Sequence, residues 1–259
     1  MDTIVWISGA TEGIGLGLAR NAPWPGARII NISRRAHPEY ETVQVDLTDP
    51  AGWQGVRDSF RRELAGFSGR AIFIHNAYYS NAVGLVGRVD QSEYQKSLLA
   101  NVAAPLALGE AFIREFPEGA EGGLALMSSG SAIVPLEGLA SYCAAKVAAE
   151  HWVEVVQREL ASRGAAAPWA VAVRPGAIDT APARASAQLD PSVYPRAGAV
   201  AKSKRLDIDT AGKRIWAELP PKPGVAVLAW EVAPEGADAR FGGRTRLVPE
   251  EEWRAAVAG

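Results

Sequence analysis

The segment Gly9-Ala10-Thr11-Glu12-Gly13-Ile14-Gly15 decides the predicted fold, because it joins a short apolar run to an amphipathic one. Residues 4–7 predict a strand before it, and residues 15–21 predict a helix after it. Glycines at such a turn let the backbone approach a pyrophosphate, while the helix N-terminus offers free N–H groups. Three glycines alone can form an ordinary turn, and the strand–turn–helix setting is what favours dinucleotide binding.

The rest of the chain continues this alternation, which is typical of a parallel sheet covered by helices. Strands are predicted at residues 4–7, 27–32, 42–45, 71–74, 124–127, 169–173 and 225–228, and helices at 15–21, 51–64, 92–116, 142–163 and 206–219. The helix predicted at 92–116, between the fourth and fifth strands, is expected to break near Pro105. Residues 177–204 are rich in Ala, Pro and Ser and predict a long loop or lid. The tail from Pro234 is assigned no element.

Length and composition narrow the class of protein. A chain of 259 residues suits one large α/β domain and is short for two. The net charge of −2 argues against a nucleic-acid surface. A single cysteine excludes an intrachain disulfide, and three scattered histidines without ligand spacing predict no metal site. No apolar run approaches the roughly 18 residues that span a bilayer, and no signal peptide is visible, so a cytoplasmic protein without a membrane partner is expected.

Tyr142 and Lys146 are the residues that indicate chemistry. They are four positions apart on a predicted helix, so their side chains share one face. A free phenol has a pKa of about 10, and a neighbouring ammonium lowers that pKa until the phenol can serve as a general acid or base near neutrality. Together with a nucleotide-binding turn, the pair predicts an oxidation or reduction site.

The glycine spacing, with three residues between the first two glycines, and the Tyr142-x-x-x-Lys146 pair resemble the short-chain dehydrogenase/reductase family. The resemblance covers roughly residues 3–180 with the motifs in the family's order. It implies a single-domain Rossmann fold over residues 1–259, typically with seven strands, and a nicotinamide cofactor. It assigns Ser129, thirteen residues before Tyr142, to orienting a substrate carbonyl, and Asn101 to a proton-relay water shared with Lys146.

Cofactor contacts follow from the same resemblance. Asp46-Leu47 corresponds to an adenine-contacting acidic position, and His75-Asn76-Ala77-Tyr78 to the family's Asn-Asn-Ala-Gly segment. His75 is interpreted as a structural residue, and Tyr78, in place of glycine, as crowding or lining the nicotinamide side. Residues 176–180 resemble the sepiapterin-reductase and benzil-reductase branch. The predicted cofactor-binding set is Gly9, Thr11, Glu12, Gly13, Ile14, Gly15, Ser33, Arg34, Arg35, Asp46, Leu47, Asn76, Ala77, Tyr142, Lys146, Pro175, Gly176, Ile178 and Thr180; the catalytic set is Asn101, Ser129, Tyr142 and Lys146.

The end of the second strand predicts NADP(H) as the cofactor. Binders of NAD usually place a carboxylate there for the ribose hydroxyls, whereas this chain has Ser33 followed by Arg34 and Arg35. Guanidinium groups suit a 2′-phosphate. Alternatively, the two arginines only cap a solvated strand end. Glu12 counts against NADP(H), because similar NADP enzymes often carry a basic residue in that turn.

The predicted function is an NADPH-dependent carbonyl reductase with Tyr142 as general acid. The apolar character of the lid and of Tyr78 and Tyr79 favours a hydrophobic ketone or 1,2-diketone as the small-molecule substrate. Two alternatives stay open: an NAD-linked alcohol dehydrogenase working oxidatively, and a non-catalytic NADP-binding regulatory subunit on the same fold. The resemblance also implies a homodimer or homotetramer paired through the two long helices.

Overall fold

A computed structural model describes residues 1–164, 167–195 and 204–230, together with the backbone of Thr245–Leu247. The strands are β1 Thr3–Ser8, β2 Arg28–Ser33, β3 Glu41–Gln44, β4 Arg70–His75, β5 Glu121–Met127, β6 Trp169–Arg174, β7 Val227–Ala229 and β8 Thr245–Leu247. The helices are α1 Gly13–Arg20, α2 Trp53–Leu64, α3 Gln91–Leu98, α4 Ala104–Glu115, α5 Ala140–Ala161, α6 Ala181–Ser186 and α7 Ile208–Ala217. A π-helical turn, Leu99–Ala103, joins α3 to α4, and 3₁₀ turns lie at Pro50–Gly52 and Gly130–Ala132.

All eight strands form one parallel sheet in the order β3-β2-β1-β4-β5-β6-β7-β8. The order reverses between β1 and β4, so the crevice at the carboxyl ends of these two strands is the topological switch point where ligands of open α/β sheets bind. Gly9 follows β1 and Asn76 follows β4. The predicted doubly wound α/β sheet is confirmed, and β8 adds a strand in the tail to which the sequence assigned no element.

Helices cover both faces of the sheet. On one face an aromatic cluster fills the space under α2 and α4, with Trp6 and Phe60 in edge contact at 5.4 Å between ring centroids. On the other face α1 and α7 approach closely, because a Cβ on Gly17 would stand 2.0 Å from the carbonyl oxygen of Ile208. Two glycines, Gly17 and Gly212, make that approach possible and so fix α1 against the sheet.

One predicted segment is confirmed and another differs from the structure. The helix at 92–116 is present with the expected break: a π turn precedes Pro105, which lacks the N–H that an α-helix would direct at the carbonyl of Asn101. The predicted loop at 177–204 contains α6, whose start is capped by the hydroxyl of Thr180 accepting from the N–H of Ala183 at 3.4 Å. Thr180 at the N-cap and Pro182 in the first turn are signals of a helix start, but the high Ala, Pro and Ser content of the segment favoured a loop in the sequence. Residues 196–203 and most of the tail lie outside the described residues.

The helical stretch Gln91–Glu115 contains an 18-residue window that has the length and mean hydropathy, 1.2, of a segment that could cross a membrane. Within the fold, 56% of that window is buried. Its apolar side, including Leu108 and Phe112, belongs to the core on the α2 and α4 face of the sheet. A buried core helix therefore accounts for its composition.

Candidate active site

Tyr142 and Lys146 lie on the same face of α5, one turn apart. The ammonium of Lys146 is 5.4 Å from the centroid of the Tyr142 ring. Tyr142 is half-buried, so its ring has both a protein side and a side open to solvent. A cation this close to a phenol stabilises the phenolate that forms when the phenol gives up its proton.

Lys146 is buried, with 8% of its surface exposed. Its Nζ donates to the carbonyl oxygen of Met127, at the end of β5, at 2.6 Å. Burial lowers the pKa of Lys146 to about 8, and the nearby carboxylate of Glu150 opposes that decrease. The amine therefore exchanges its proton closer to neutral pH than a surface lysine does.

Ser129 stands on the loop between β5 and α5. It caps the 3₁₀ turn Gly130–Ala132, where its Oγ accepts from the N–H of Ser131 at 3.2 Å. This turn packs against α5, the helix of Tyr142 and Lys146. Ser128 and Ser131 are buried, whereas Ser129 is half-buried. Of these three serines, Ser129 is the one that a bound molecule can reach.

Asn101 lies in the π turn and fastens the segment after β4. Its Oδ1 accepts from the N–H of Tyr79 at 2.8 Å, and its Nδ2 donates to the Tyr79 carbonyl at 2.9 Å. Nδ2 also donates to Ser97 at 3.1 Å, and Ser97 in turn shares a hydrogen bond of 3.0 Å with Ser141. Through this chain of contacts the π turn, the segment after β4 and the start of α5 are held together.

The glycine-rich turn has the tight shape that the sequence predicted. Gly9 and Gly13 adopt positive φ of 72° and 57°, a region that favours glycine. A Cβ on Gly15 would stand 2.1 Å from the carbonyl oxygen of Gly9 and 2.6 Å from Asn76 Nδ2, so only glycine fits there. Asn76 Nδ2 donates to the carbonyl of Ser8 at 3.1 Å, which ties the end of β4 to the turn.

Two polar residues that sequence reasoning missed hold this turn in place. Ser8 Oγ accepts from the N–H groups of Asn76 and Ala77 at 2.8 and 2.9 Å. Buried Asn31, in the middle of β2, accepts from the N–H of Ala10 at 3.0 Å. The available signal was an asparagine inside the apolar run Ile29-Ile30-Asn31-Ile32, since a buried polar side chain requires a partner.

Three of the predicted cofactor-binding residues lie at the end of β2: Ser33, which is half-buried, and Arg34 and Arg35, which are exposed. Arg35 forms an ion pair of 3.0 Å with Glu12 and donates to Thr11 at 3.2 Å, while its own N–H donates to Ser33 Oγ at 3.2 Å. Arg34 is exposed and contributes charge to Asp46, beyond β3. Burial opposes ionisation of Asp46, but hydrogen bonds from Thr48 and this charge outweigh it and lower the pKa of the carboxyl. Leu47 is buried.

The segment after β6 closes over the glycine-rich turn. Thr180 Cγ2 would lie 3.5 Å from a Cβ on Gly13, which places the two residues side by side. Ile178 is buried and pairs with Leu206, while Arg214 of α7 donates to the carbonyl of Pro175. Thr180 therefore lies beside the glycine-rich turn, while Pro175 and Ile178 are anchored to α7 and to Leu206.

Tyr78 and His75 distinguish this site from the pattern that the resemblance implies. The Tyr78 ring packs on the Tyr142 ring with centroids 4.7 Å apart, and Lys146 Nζ is 5.9 Å from the Tyr78 centroid. Burial raises the pKa of Tyr78, so this phenol stays protonated. Burial and the charge of Lys146 lower the pKa of His75 to about 3, so its imidazole is neutral.

Behind Lys146 lies a buried charged network that sequence reasoning also missed. Glu150, one turn further along α5, accepts from Ser128 Oγ at 2.6 Å. It also accepts from Arg174 Nε and Nη2, both at 2.7 Å. Glu150 and Arg174 have 0% and 1% of their side chains exposed. The signal was present, because Tyr142, Lys146 and Glu150 repeat every four residues on one helix face.

A parallel sheet with a glycine-rich turn at its switch point and a Tyr–Lys pair beside it defines a nucleotide-dependent oxidoreductase. The sequence model for short chain dehydrogenases matches residues 3–190. The chain belongs to this family, whose members bind a nicotinamide cofactor, and the predicted resemblance is confirmed at that level. The sepiapterin- and benzil-reductase branch stays a prediction.

Known proteins agree with this assignment. The 3-oxoacyl-[acyl-carrier-protein] reductase of Salmonella typhimurium is 27% identical over 192 residues, which are 70% of this chain and 76% of that protein. The 2,3-dihydro-2,3-dihydroxybenzoate dehydrogenase of Escherichia coli is 26% identical over 176 residues, 68% of this chain and 69% of the relative. A short chain dehydrogenase of Burkholderia cenocepacia, solved with NADP, shares the fold at a TM-score of 0.68 and 22% identity, over 93% of this chain and 92% of its own.

Proposed function

We propose that the protein is an NADPH-dependent carbonyl reductase that acts on a hydrophobic ketone or 1,2-diketone, with Tyr142 as general acid. The observation that carries the proposal is the buried ammonium of Lys146 at 5.4 Å from the Tyr142 ring, on the helix beside the glycine-rich crevice. Asn101 and Ser129 complete the catalytic set. Similarity to a reductase in Salmonella typhimurium supports the reductive direction.

The shape of the glycine-rich turn supports dinucleotide binding. Gly15 leaves no room for a side chain against Gly9, and such a bare backbone is what close approach of a pyrophosphate requires. The Glu12 side chain makes no capping hydrogen bond at the start of α1, so the first N–H groups of α1 are not occupied by it. We assign Gly9 to Gly15 to the pyrophosphate, Asp46 and Leu47 to the adenine side, and Asn76, Ala77 and residues 175–180 to the nicotinamide side.

The proposed mechanism gives each catalytic residue one task. The cofactor, when bound, supplies the hydride. Ser129 Oγ and the Tyr142 hydroxyl donate hydrogen bonds to the substrate carbonyl oxygen and stabilise the negative charge that develops there. Tyr142 then gives its proton to that oxygen, and Lys146 stabilises the resulting phenolate. Asn101, whose side chain also holds the segment after β4 in position, supports a proton-relay water shared with Lys146.

Arg34 supports the preference for NADPH. It is exposed at the end of β2, where the ribose of a bound dinucleotide lies in this fold, and a guanidinium there pairs with a 2′-phosphate. Arg35 is already paired with Glu12, so we assign most of the discrimination to Arg34.

Tyr78 and the lid support an apolar, flat substrate. The ring planes of Tyr78 and Tyr142 meet at an angle of 58°. Tyr194 of the lid packs on Gly138, where a Cβ would stand 2.4 Å from the Tyr194 ring. Tyr79 turns away, since its hydroxyl donates to Glu93. We propose residues 177–204 as the substrate loop of a single domain over 1–259, in a cytoplasmic homodimer or homotetramer.

Glu12 favours a second candidate, an NAD-linked alcohol dehydrogenase. Its carboxylate lies 3.0 Å from Arg35 and compensates one of the two positive charges that NADPH would need. Similarity to a dehydrogenase of Escherichia coli fits this direction. Initial rates with NADPH and NADH on the same carbonyl compound separate the two candidates. NADH is the better hydride donor if the protein is the NAD-linked dehydrogenase, and NADPH is the better donor if it is the NADPH-dependent reductase.

The decisive experiment follows the absorbance of NADPH against a panel of aryl ketones, 1,2-diketones, sugars and short aldehydes. The wild type should consume NADPH with at least one hydrophobic carbonyl compound. Tyr142→Phe should lower turnover by about 10²-fold or more while NADPH binding, measured by fluorescence, stays within a few-fold. Tyr40→Phe, on the far side of the sheet, is the matched control. Turnover unchanged by Tyr142→Phe would reject the mechanism.

A further inference from the structure

The buried carboxylate of Glu150 is shared by three elements that build the candidate active site. It lies on α5 one turn after Lys146, it accepts from Ser128 next to Ser129, and it pairs with Arg174 at the end of β6. Because Arg174 immediately precedes Pro175 and Gly176, the carboxylate joins the proposed proton-transfer and nicotinamide sides of the crevice.

We infer that Glu150 is a positioning residue: its carboxylate places a negative charge one helical turn from Lys146 and fixes the Ser128-Ser129 loop through the bond from Ser128. The role for the chemistry rests on the proposed function, whereas the effect on Lys146 is a property of the protein by itself. A carboxylate at this depth must be paired to stay ionised, and Ser128 and Arg174 supply the partners.

The charge balance around Lys146 gives the direction of the effect. From α5 the groups that act on it are Tyr142 and Glu150, and from β4 and the segment after it His75 and Tyr78. Arg174 of β6 pairs with Glu150 and adds a positive charge behind it. His75 and Tyr78 are neutral, so Glu150 is the carboxylate that acts on Lys146 in the described part of the chain. Burial lowers the pKa of Lys146, and Glu150 limits that decrease.

Buried ion pairs can be replaced by apolar residues without loss of stability, whereas removing one partner leaves an unpaired charge. A structural role and an electrostatic role can therefore be separated. Glu150→Gln keeps the shape but removes the charge. Glu150→Met with Arg174→Met removes both charges together and restores a packable interior.

The test is a pH titration of the Lys146 side chain by ¹³C NMR in lysine-labelled protein without cofactor, with the Lys146 signal assigned by its absence in Lys146→Met. Glu150→Gln should lower the Lys146 midpoint by about one pH unit. The double methionine variant also removes the positive charge of Arg174, so its midpoint should lie about one pH unit below that of Arg174→Met, which keeps Glu150, and closer to the wild-type value. Glu154→Gln, one turn further along the same helix and paired with Arg158 at 2.9 Å, should leave the Lys146 midpoint unchanged.

A Lys146 midpoint in Glu150→Gln equal to that of the wild type would overturn the inference; if Glu150→Gln fails to fold, equal midpoints in the double variant and in Arg174→Met would overturn it. If the protein turns over a substrate, the high-pH limb of kcat/KM should shift with the NMR midpoint. If neither the wild type nor any variant turns over a substrate, that result counts against the proposed function, and the titration result stays valid.

Discussion

The two ends of the candidate site hold their charges in opposite surroundings. At the adenosine end, Arg35 and Glu12 have 65% and 70% of their side chains exposed, whereas at the proton-transfer end Glu150 and Arg174 are fully enclosed. Exposed pairs are screened by salt and contribute little to stability, while buried charges must be matched or neutralised. Substitutions at the buried end should therefore have large effects, and those at the exposed end should tune selectivity.

The largest effect is expected at Lys146. Lys146→Met removes the cation beside Tyr142 and should lower turnover by about 10²-fold or more. Because the folded pKa of about 8 lies below the value of about 10.4 for a free lysine, the charged amine destabilises the fold at pH 7; this cost begins to fall as pH rises above about 8 and is gone above about 10.4. Lys146→Met should therefore raise the free energy of unfolding by roughly 1 kcal/mol or more at pH 7.

Turnover and urea unfolding of the same samples check this prediction. Lys213→Met, on the exposed side of α7, is the control and should change neither quantity. Loss of both turnover and stability in Lys146→Met would show that the amine is needed for the fold and would remove the contrast between the two ends.

His75 should give the next largest effect, on stability. Its pKa in the folded protein is about 3, below the value of an unfolded histidine, so the unfolded state takes up the proton first as pH falls below about 6.5. Its contribution to stability is complete above that pH and is lost progressively down to about pH 3. At pH 5 the loss should be about 2 kcal/mol.

Urea unfolding between pH 7 and 4.5 tests this, provided that His75→Asn folds. The variant should lose less stability over that range than the wild type, while His151→Asn, with an exposed imidazole, should follow the wild type. An unchanged pH slope in His75→Asn would mean that acid sensitivity arises elsewhere.

His75 also illustrates which features of the site could not be predicted from the sequence. The sheet, its order of elements and the relation of Tyr142 to Lys146 follow from local periodicity and from fixed spacing on a helix, which one sequence displays directly. The burial of His75, the pairing of Glu150 with Arg174 across 24 residues and the ion pair of Glu12 with Arg35 depend on which side chains tertiary packing brings together. The strand in the tail could not be predicted for a related reason, because β8 is only three residues long and is specified by its pairing with β7.

At the exposed end, Arg34 should affect the choice of cofactor. Arg34→Ala should raise the KM for NADPH by about tenfold, the value of one charge-assisted contact, with little change in the KM for NADH. Arg35→Ala should have a smaller effect, because Glu12 already engages that guanidinium. Initial rates with both cofactors at low and high salt provide the measurement; equal effects of Arg34→Ala on NADPH and NADH would contradict the assignment.

The smallest effect should come from Glu12. Glu12→Gln removes the carboxylate that pairs with Arg35, so both arginines become available to a 2′-phosphate, and NADPH should bind about threefold more tightly. The gain should vanish at 1 M salt, since both side chains are exposed and the Debye length falls to about 3 Å. Glu39→Gln, an exposed carboxylate in the segment after β2, is the matched control. Weaker NADPH binding in Glu12→Gln would mean that Glu12 orients Arg35 toward the phosphate, and the exposed end would then be preorganised much as the buried end is.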